Sequence, residues 1–116
     1  VVSLNCDLNE TSRNLIGQNE LNLMKPNAVL LSATWDVIEL PSLISTLRDK
    51  KILGAGLDIA IEAKMSDLPR QLLELDNVVL TAHVAYNTQE SKIRQVDICL
   101  DNIQGFLSGK PQNVVN

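Results

Sequence analysis

Residues Ile52–Asp58, ILGAGLD, form an apolar run that contains several small residues and ends on a carboxylate. Three comparable runs occur elsewhere in the chain, at Val1–Leu4, Ala28–Ser32 and Val78–Thr81. All four are nearly continuous in apolar residues and do not alternate with polar ones, which is typical of strands buried on both faces of a parallel sheet. The sequence therefore predicts four buried parallel strands.

The segments between these runs predict crossover connections. The first extends over Thr11–Met24, the second has Pro41 in its first helical turn, and Ser66–Leu75 forms a weaker third. The last helix follows Thr88 as N-cap, carries apolar residues at steps of three and four, and ends near Gly109. Strands that alternate with helices in this way predict an α/β fold with a parallel sheet, followed by a long C-terminal helix.

Composition restricts the classes of function. The 116 residues are 45% hydrophobic but include only one Trp, one Tyr and one Phe, so the core must be aliphatic. The net charge is −4 and no stretch combines clustered Lys and Arg with aromatic residues, which argues against a nucleic-acid partner. The apolar runs are far shorter than the roughly 20 residues of a membrane span, and no signal peptide is visible. We expect a cytoplasmic protein without a membrane partner.

The two cysteines, Cys6 and Cys99, have neither metal-ligand spacing nor a disulfide pattern. The favoured interpretation is a pair of reduced, buried thiols in a cytosolic protein, with a redox or metal role as the alternative. The sequence starts with Val-Val-Ser-Leu, inside a predicted strand, which suggests a piece of a longer chain.

Open α/β sheets bind ligands beyond the carboxyl ends of their strands. The residues that follow the four predicted strands should therefore converge on one edge: Asn5 with Cys6, Ala33–Asp36, Asp58–Glu62 and His83–Asn87. Several of these residues are polar or ionisable, so this edge is the candidate site.

Asp58 and His83 are the side chains at this edge best suited to chemistry. The carboxylate of Asp58 can accept hydrogen bonds from a ligand, or it can cap the following turn. His83, the only histidine, suits proton transfer, or it has a purely structural place where the chain turns. No glycine-rich phosphate loop and no nucleophile elbow are present.

Several strings together resemble one family. LNETSRNLIGQNELNLMKPNAVLLSAT, GAGLDIAIEA, LDNVVLTAHVAYNTQES and NIQGFLSGKPQNVVN are similar, in collinear order, to segments of the D-isomer-specific 2-hydroxy-acid dehydrogenases. The resemblance implies the second half of a doubly wound, Rossmann-type dinucleotide-binding domain over residues 1–87. It also implies that residues 88–116 are a helix and tail returning to a substrate domain that is missing here. The implied activity is hydride transfer between NAD or NADP and a small 2-keto or 2-hydroxy acid.

The resemblance also implies roles for individual residues. His83 falls on the position of the acid/base histidine, and Asp58 on the position that binds the nicotinamide carboxamide. The remaining positions beside the cofactor are Asn5, Cys6, Ala33, Thr34 and Ala85. No metal ligand is implied.

Two departures from the family pattern affect the chemistry. Trp35 stands where the family has its substrate-orienting arginine, with Asp36 in place of the next glycine, and an indole cannot grip a carboxylate as a guanidinium does. Ala63 stands where the glutamate partner of the histidine is expected, with Glu62 beside it. We therefore expect the isolated chain to be inactive, and a non-catalytic nucleotide-binding or interaction protein is the alternative. The unpaired apolar edge of the first strand further predicts self-association, as a dimer.

Overall fold

The computed structural model describes residues 1–58 and 67–115, which divide into two compact units, Val1–Ala85 and Tyr86–Asn116. In chain order the elements are β1 (Val2–Leu4), α1 (Gln18–Asn22), β2 (Val29–Ser32), a 3₁₀ turn (Trp35–Val37), α2 (Leu40–Arg48), β3 (Gly54–Asp58), α3 (Asp67–Leu73), β4 (Val78–Thr81) and α4 (Gln89–Leu107). The strands lie in the order β1-β2-β3-β4, and all neighbours are parallel. The predicted α/β class, the parallel sheet and the long C-terminal helix are confirmed.

One face of the sheet carries the core of the first unit. Leu30 of β2 and Ala55 of β3 are register partners, and both are buried. They belong to one cluster with the inner residues of α2, among them Leu43 and Leu47. The core is thus aliphatic, as the composition predicts, and it fixes which residues of each strand point toward the helices.

The opposite face of the sheet is open in the described part of the chain. Its central row joins Ser3, Leu31, Gly56 and Val79 in register. Leu31 is 39% exposed and Val79 is 67% exposed, although both are large and apolar. The prediction of strands buried on both faces is therefore wrong for β1, β2 and β4, whereas β3 has no exposed residue. An apolar run predicts burial without showing which layer covers it.

Helix α2 follows its sequence signals. Pro41 lies in its first turn, where no intrahelical donor is lost. Leu43, Ile44 and Leu47 are all buried, as their spacing of one, three and four residues predicts for one face of a helix.

The predicted crossover over Thr11–Met24 is helical only in α1. Before α1, the side chain of Asn9 accepts hydrogen bonds from the backbone N–H groups of Thr11 (2.9 Å) and Ser12 (3.0 Å), so the chain turns instead of continuing as a helix. Asn14 then has a positive φ of 52°, which interrupts any regular helix. The segment is fixed to the rest of the unit by a parallel bridge between Ile16 and Ile38.

Two glycines of β3 have different neighbours. A Cβ atom at Gly54 would lie 2.6 Å from the backbone oxygen of Asn77, which cannot easily move. A Cβ atom at Gly56 would lie 2.8 Å from Cδ2 of Leu31, the end of a flexible and partly exposed side chain. Position 54 therefore requires glycine, because the neighbouring backbone lies too close for a side chain. At position 56 a small side chain could be accommodated if Leu31 moved.

The second unit consists of α4 and the tail. Thr88 caps the helix as predicted, since its Oγ1 accepts a hydrogen bond of 3.1 Å from the N–H of Ser91. After α4 ends, Gly109 takes a left-handed φ of 73°, which confirms the predicted stop. In the described part of the chain, none of the helices combines the length and apolarity that crossing a membrane requires.

The prediction of two buried thiols is wrong. Cys99 is exposed on α4, which has no buried residue among those described, and Cys6 is half-buried after β1. Both are free cysteines. Burial statistics for cysteine fail for Cys99 because no described residue of its helix is buried.

Candidate functional site

A cleft of about 250 Å³ opens at the carboxyl ends of the four strands, on the open face of the sheet. The strand-end residues that line it include Asn5, Ala33, Asp58 and Thr81. Its floor contains the row that crosses the open face: Ser3, Leu31, Gly56 and Val79. The predicted convergence of strand ends is thus present, and the cleft is mostly apolar with a few polar groups, as ligand sites are.

Asp58 is the central polar group of this cleft. It is buried, and it accepts three hydrogen bonds from the segment that follows β4. The hydroxyl of Thr81 and the N–H of Val84 (2.8 Å) donate to Oδ1, and the N–H of Ala85 (2.8 Å) donates to Oδ2. One carboxylate therefore binds a side chain before His83 and the backbone after it.

Hydrogen bonding keeps Asp58 ionised. Burial on its own raises the pKa of a carboxyl group, but the hydrogen bonds from Thr81, Ala85 and Val84 outweigh it, and so the pKa of Asp58 lies below its ordinary value of 3.8. Electrostatic interaction with His83 lowers the pKa of Asp58 further. A negative charge thus faces the cleft over the whole neutral range.

His83 is exposed and has a positive φ of 52°. Histidine is among the few residues other than glycine that enter this region with some frequency. The hydrogen bonds to Asp58 come from the Thr81 side chain, two residues before His83, and from the backbone N–H groups of Val84 and Ala85, directly after it, so they stabilise this conformation. Thr81 and Ala85, which lie two residues before and after His83 in the sequence, line the cleft, but His83 does not.

The other predicted site residues divide into two groups. Asn5, Ala33 and Ala85 line the cleft together with Asp58. Cys6 and Thr34 do not line it. Thr34 instead belongs to a local turn, in which its N–H donates to Oγ of Ser32 (3.2 Å) and its carbonyl accepts from the same hydroxyl (2.7 Å).

In the segment SATWD, Trp35 is half-buried and Asp36 forms an ion pair. Trp35 is half-buried and packs against the core of the first unit. Asp36 forms an ion pair with Arg13, with 3.2 Å between Oδ2 and Nη1, and its carbonyl accepts from the N–H of Asn14. Glu62 and Ala63, the other departures from the family pattern, lie outside the described residues.

Sequence reasoning missed Thr81, whose hydroxyl contacts Asp58. The two residues are register partners on neighbouring strands. The period of two along a strand places Thr81 on the same face as Val79, but only the pairing register brings it opposite Asp58. The register itself cannot be read from an apolar run.

In the described part of the chain, no group of three or more His, Cys, Asp or Glu side chains is arranged to hold a metal ion.

Comparison with known proteins identifies the family. The family model described as "D-isomer specific 2-hydroxyacid dehydrogenase, NAD binding domain" matches residues 1–85. A glycerate dehydrogenase of Methylorubrum extorquens is 34% identical over 99% of this chain and 37% of its own length. A glyoxylate reductase of Thermococcus litoralis is 35% identical over 99% of this chain and 35% of its own length. The chain thus spans just over a third of the length of these relatives.

Solved structures agree. The NAD complex of a D-isomer specific 2-hydroxyacid dehydrogenase from Lactobacillus delbrueckii ssp. bulgaricus superposes with a TM-score of 0.87 at 30% identity, covering 99% of this chain and 39% of that one. An acyclic imino acid reductase in complex with NADPH and D-Arg gives 0.85 at 32% identity, covering 98% of this chain and 36% of that one. Structural relatives therefore bind NAD or NADPH. The chain belongs to the D-isomer-specific 2-hydroxy-acid dehydrogenase family, whose NAD-binding domain model matches most of it.

Proposed function

We propose that the first unit forms the nicotinamide half of the cofactor site of an NAD(P)-dependent oxidoreductase. The reaction is hydride transfer at the carbon that bears a carbonyl or hydroxyl group, with the 2-keto and 2-hydroxy acids of the family as reference substrates. The observation that carries this proposal is the cleft at the carboxyl ends of four parallel strands, with the buried carboxylate of Asp58 in its lining. Residues 88–116 are proposed to return to a substrate domain, as in the resemblance.

The described residues fit one end of a dinucleotide. Leu31 and Val79 offer apolar surface to a flat ring, and Gly56 between them has no side chain that would obstruct it. Oδ2 of Asp58 accepts one hydrogen bond from Ala85 and so retains a lone pair for a carboxamide N–H. The volume of about 250 Å³ is below the roughly 300–1,000 Å³ of complete ligand pockets, which agrees with half of a site.

In the proposed reaction the bound nicotinamide would supply a hydride to the carbonyl carbon, and the carbonyl oxygen would take up a proton to become a hydroxyl group. His83 is the proposed proton donor, because histidine exchanges protons readily near neutral pH. Asp58 would act as its positioning residue by holding Thr81 and Ala85 on either side. Cofactor contacts at Asn5, Ala33 and Ala85 are supported by their place in the cleft, whereas those at Cys6 and Thr34 rest on the resemblance alone.

A binding titration tests the half-site. We expect nicotinamide mononucleotide to shift the amide NMR signals of Ala33, Gly56 and Ala85 with a dissociation constant of roughly 1 mM, since half a cofactor makes half the contacts. AMP, the other half of the dinucleotide, should leave these signals unchanged. The variant Ala33→Leu should fill the cleft and abolish the shifts, while Ser45→Leu, an exposed site on α2, should not. Equal shifts with both nucleotides would contradict the proposal.

The isolated chain is proposed to be catalytically inactive, because Trp35 and Ala63 replace two groups that the family reaction uses. NADH oxidation with glyoxylate, pyruvate or hydroxypyruvate should not exceed the rate without protein. Turnover that disappears in His83→Ala would show that the chain is active after all.

A non-catalytic nucleotide-binding or interaction protein is the second candidate. It is favoured by Trp35, which packs against the core and leaves no arginine at the position where the family orients its substrate. Binding of nicotinamide mononucleotide without turnover in any longer protein that contains this chain would select this candidate.

Self-association is proposed through β1. This strand is at the edge of the described sheet, and the side chains of Val1 and Val2 are exposed there. Because an uncovered strand edge is a template for pairing, sedimentation should give about twice the mass of 12.8 kDa. A concentration-independent monomer would argue against it.

A further inference from the structure

The hydroxyl of Thr81 joins Asp58 to the sheet itself. It donates a hydrogen bond to Oδ1 of Asp58, and the two residues are register partners on the neighbouring strands β4 and β3. The other described donors to this carboxylate are the N–H groups of Val84 and Ala85, which follow β4 in the chain. Among the described contacts of Asp58, the one from Thr81 is therefore the only side-chain contact that a strand supplies.

Charge decides the direction of this hydrogen bond. Burial raises the pKa of Asp58, but hydrogen bonds and electrostatic interaction with His83 lower it below 3.8, and the Thr81 hydroxyl has the largest lowering effect. Asp58 is thus ionised at neutral pH, and an ionised carboxylate can only accept hydrogen bonds. The shared proton accordingly belongs to Thr81, which acts as a donor to Asp58.

The position of Thr81 indicates a role at the cleft and not in the core. Thr81 is exposed and lines the cleft together with Asp58. Both side chains are on the open face of the sheet, away from the aliphatic cluster around Leu43. Valine has the same branched shape and the same preference for strands. The hydroxyl of Thr81 is therefore the one feature that valine would not provide.

From this geometry we propose that Thr81 is a positioning residue of the cofactor site, whose hydroxyl holds the Asp58 carboxylate in the orientation that receives the carboxamide N–H of the nicotinamide ring. The inference rests on the proposed function, because it adds a residue to the same site. A carboxylate turns readily about its last side-chain bond. A hydroxyl on the neighbouring strand opposes this rotation, because hydrogen bonds from supporting residues lock the rotamer of a functional group.

The test compares two cofactor fragments that differ in one group. Nicotinamide mononucleotide carries the carboxamide, and the pyridinium ribose phosphate without that group has the same charged ring, ribose and phosphate. Each is titrated into the full chain while the amide NMR signals of Ala33 and Gly56 are followed. In the unsubstituted chain we expect nicotinamide mononucleotide to bind about tenfold more tightly, because only this fragment can donate an N–H to Asp58.

Three variants of Thr81 isolate its hydroxyl. Thr81→Val removes the hydroxyl and should weaken binding of nicotinamide mononucleotide about fivefold or more, while binding of the fragment without the carboxamide stays unchanged. Thr81→Ala should give the same result with a smaller side chain. Thr81→Ser retains the hydroxyl and should retain the preference for the carboxamide. The position is exposed, so these variants should fold.

The carboxyl carbon-13 NMR signal of Asp58 provides a second measurement that needs no ligand. In Thr81→Val the pKa of Asp58 should rise, because the hydrogen bond that lowers it most is lost. In Thr81→Ser it should remain close to that of the unsubstituted chain. A purely structural role of Thr81 in the strand would not produce this difference between valine and serine.

Each outcome supports or overturns the inference. Equal weakening of both fragments in Thr81→Val, an unchanged preference for the carboxamide, or an unchanged pKa of Asp58 overturns it and leaves the proposed function standing. Failure of serine to retain the preference also overturns it, since the hydroxyl would not be responsible. If nicotinamide mononucleotide does not bind to the unsubstituted chain, the proposed function itself is refuted and the inference falls with it.

Discussion

Replacing Asp58 by asparagine tests whether one carboxylate organises the segment around His83. Asparagine has nearly the same shape, and its Oδ1 can still accept from Thr81 and Val84. Its second position is an NH₂ group, which would face the N–H of Ala85 where the carboxylate now accepts a hydrogen bond of 2.8 Å. One hydrogen bond is therefore lost, and the other two lose their charged partner.

The cost follows from these three contacts. A hydrogen bond to a charged group contributes about 1.5–3 kcal/mol, against about 0.5–1.5 kcal/mol for a neutral pair, and an unsatisfied buried donor costs about 1–3 kcal/mol. Asparagine is less costly to bury than a carboxylate, which offsets part of the loss. We expect Asp58→Asn to lower the free energy of unfolding by about 2–4 kcal/mol, a large part of the roughly 5–15 kcal/mol typical of a domain.

Urea unfolding, followed by the fluorescence of Trp35, measures this difference. Trp35 is the only tryptophan and packs against the core of the unit that contains Asp58. The matched control is Asp76→Asn, since Asp76 pairs with Lys50 at 3.3 Å but both side chains are more than two-thirds exposed. That control should cost less than about 0.5 kcal/mol. Equal losses in the two variants, or no loss in Asp58→Asn, would refute the assigned role.

Three further predictions use the same measurement or a close relative of it. Folding lowers the pKa of Asp58, so the stabilising contribution of its charge is complete above the ordinary pKa of 3.8 and is lost as the pH falls through the lower native pKa. The stability difference between the unsubstituted chain and Asp58→Asn should therefore shrink in that acid range. A constant difference down to pH 2 would contradict this. Gly54→Ala should lower the free energy of unfolding by about 2–3 kcal/mol, because the new Cβ meets the backbone oxygen of Asn77. Gly56→Ala should lower it by about 1 kcal/mol or less, because the new Cβ meets only the end of the Leu31 side chain. A larger loss in Gly56→Ala than in Gly54→Ala would contradict this. Thr88→Ala should remove about 1 kcal/mol from the start of α4, seen as faster amide exchange in its first turn, with Ser108→Ala at the other end as a control that leaves that turn unchanged.

The fold class and the ends of several helices can be predicted from the sequence. Four apolar runs gave four strands, and their order along the chain with crossovers between them gave a parallel sheet. Pro41, Thr88 and Gly109 marked helix ends correctly, because proline, side-chain caps and left-handed glycine act within a few residues of themselves.

The pattern of apolar residues does not predict where side-chain hydrogen bonds or a positive φ interrupt a helix, or which helix face is covered. The segment Thr11–Met24 connects two parallel strands, as predicted, but the hydrogen bonds of Asn9 and the positive φ of Asn14 limit its helix to Gln18–Asn22. Cys99 was expected to be buried and is exposed, since the apolar residues of a helix show a face without showing what covers it.

The candidate site shows the same division. By itself the sequence determined that the residues after four parallel strands meet at one edge, because all parallel strands end on the same side of their sheet. Only the tertiary structure decided that Thr81 lies opposite Asp58, that one carboxylate binds residues on both sides of His83, and that Trp35 packs into the core. The contacts of Asp58 join residues more than twenty positions apart. These contacts and the packing of Trp35 depend on strand register and side-chain packing, which a local pattern of apolar and polar residues does not specify.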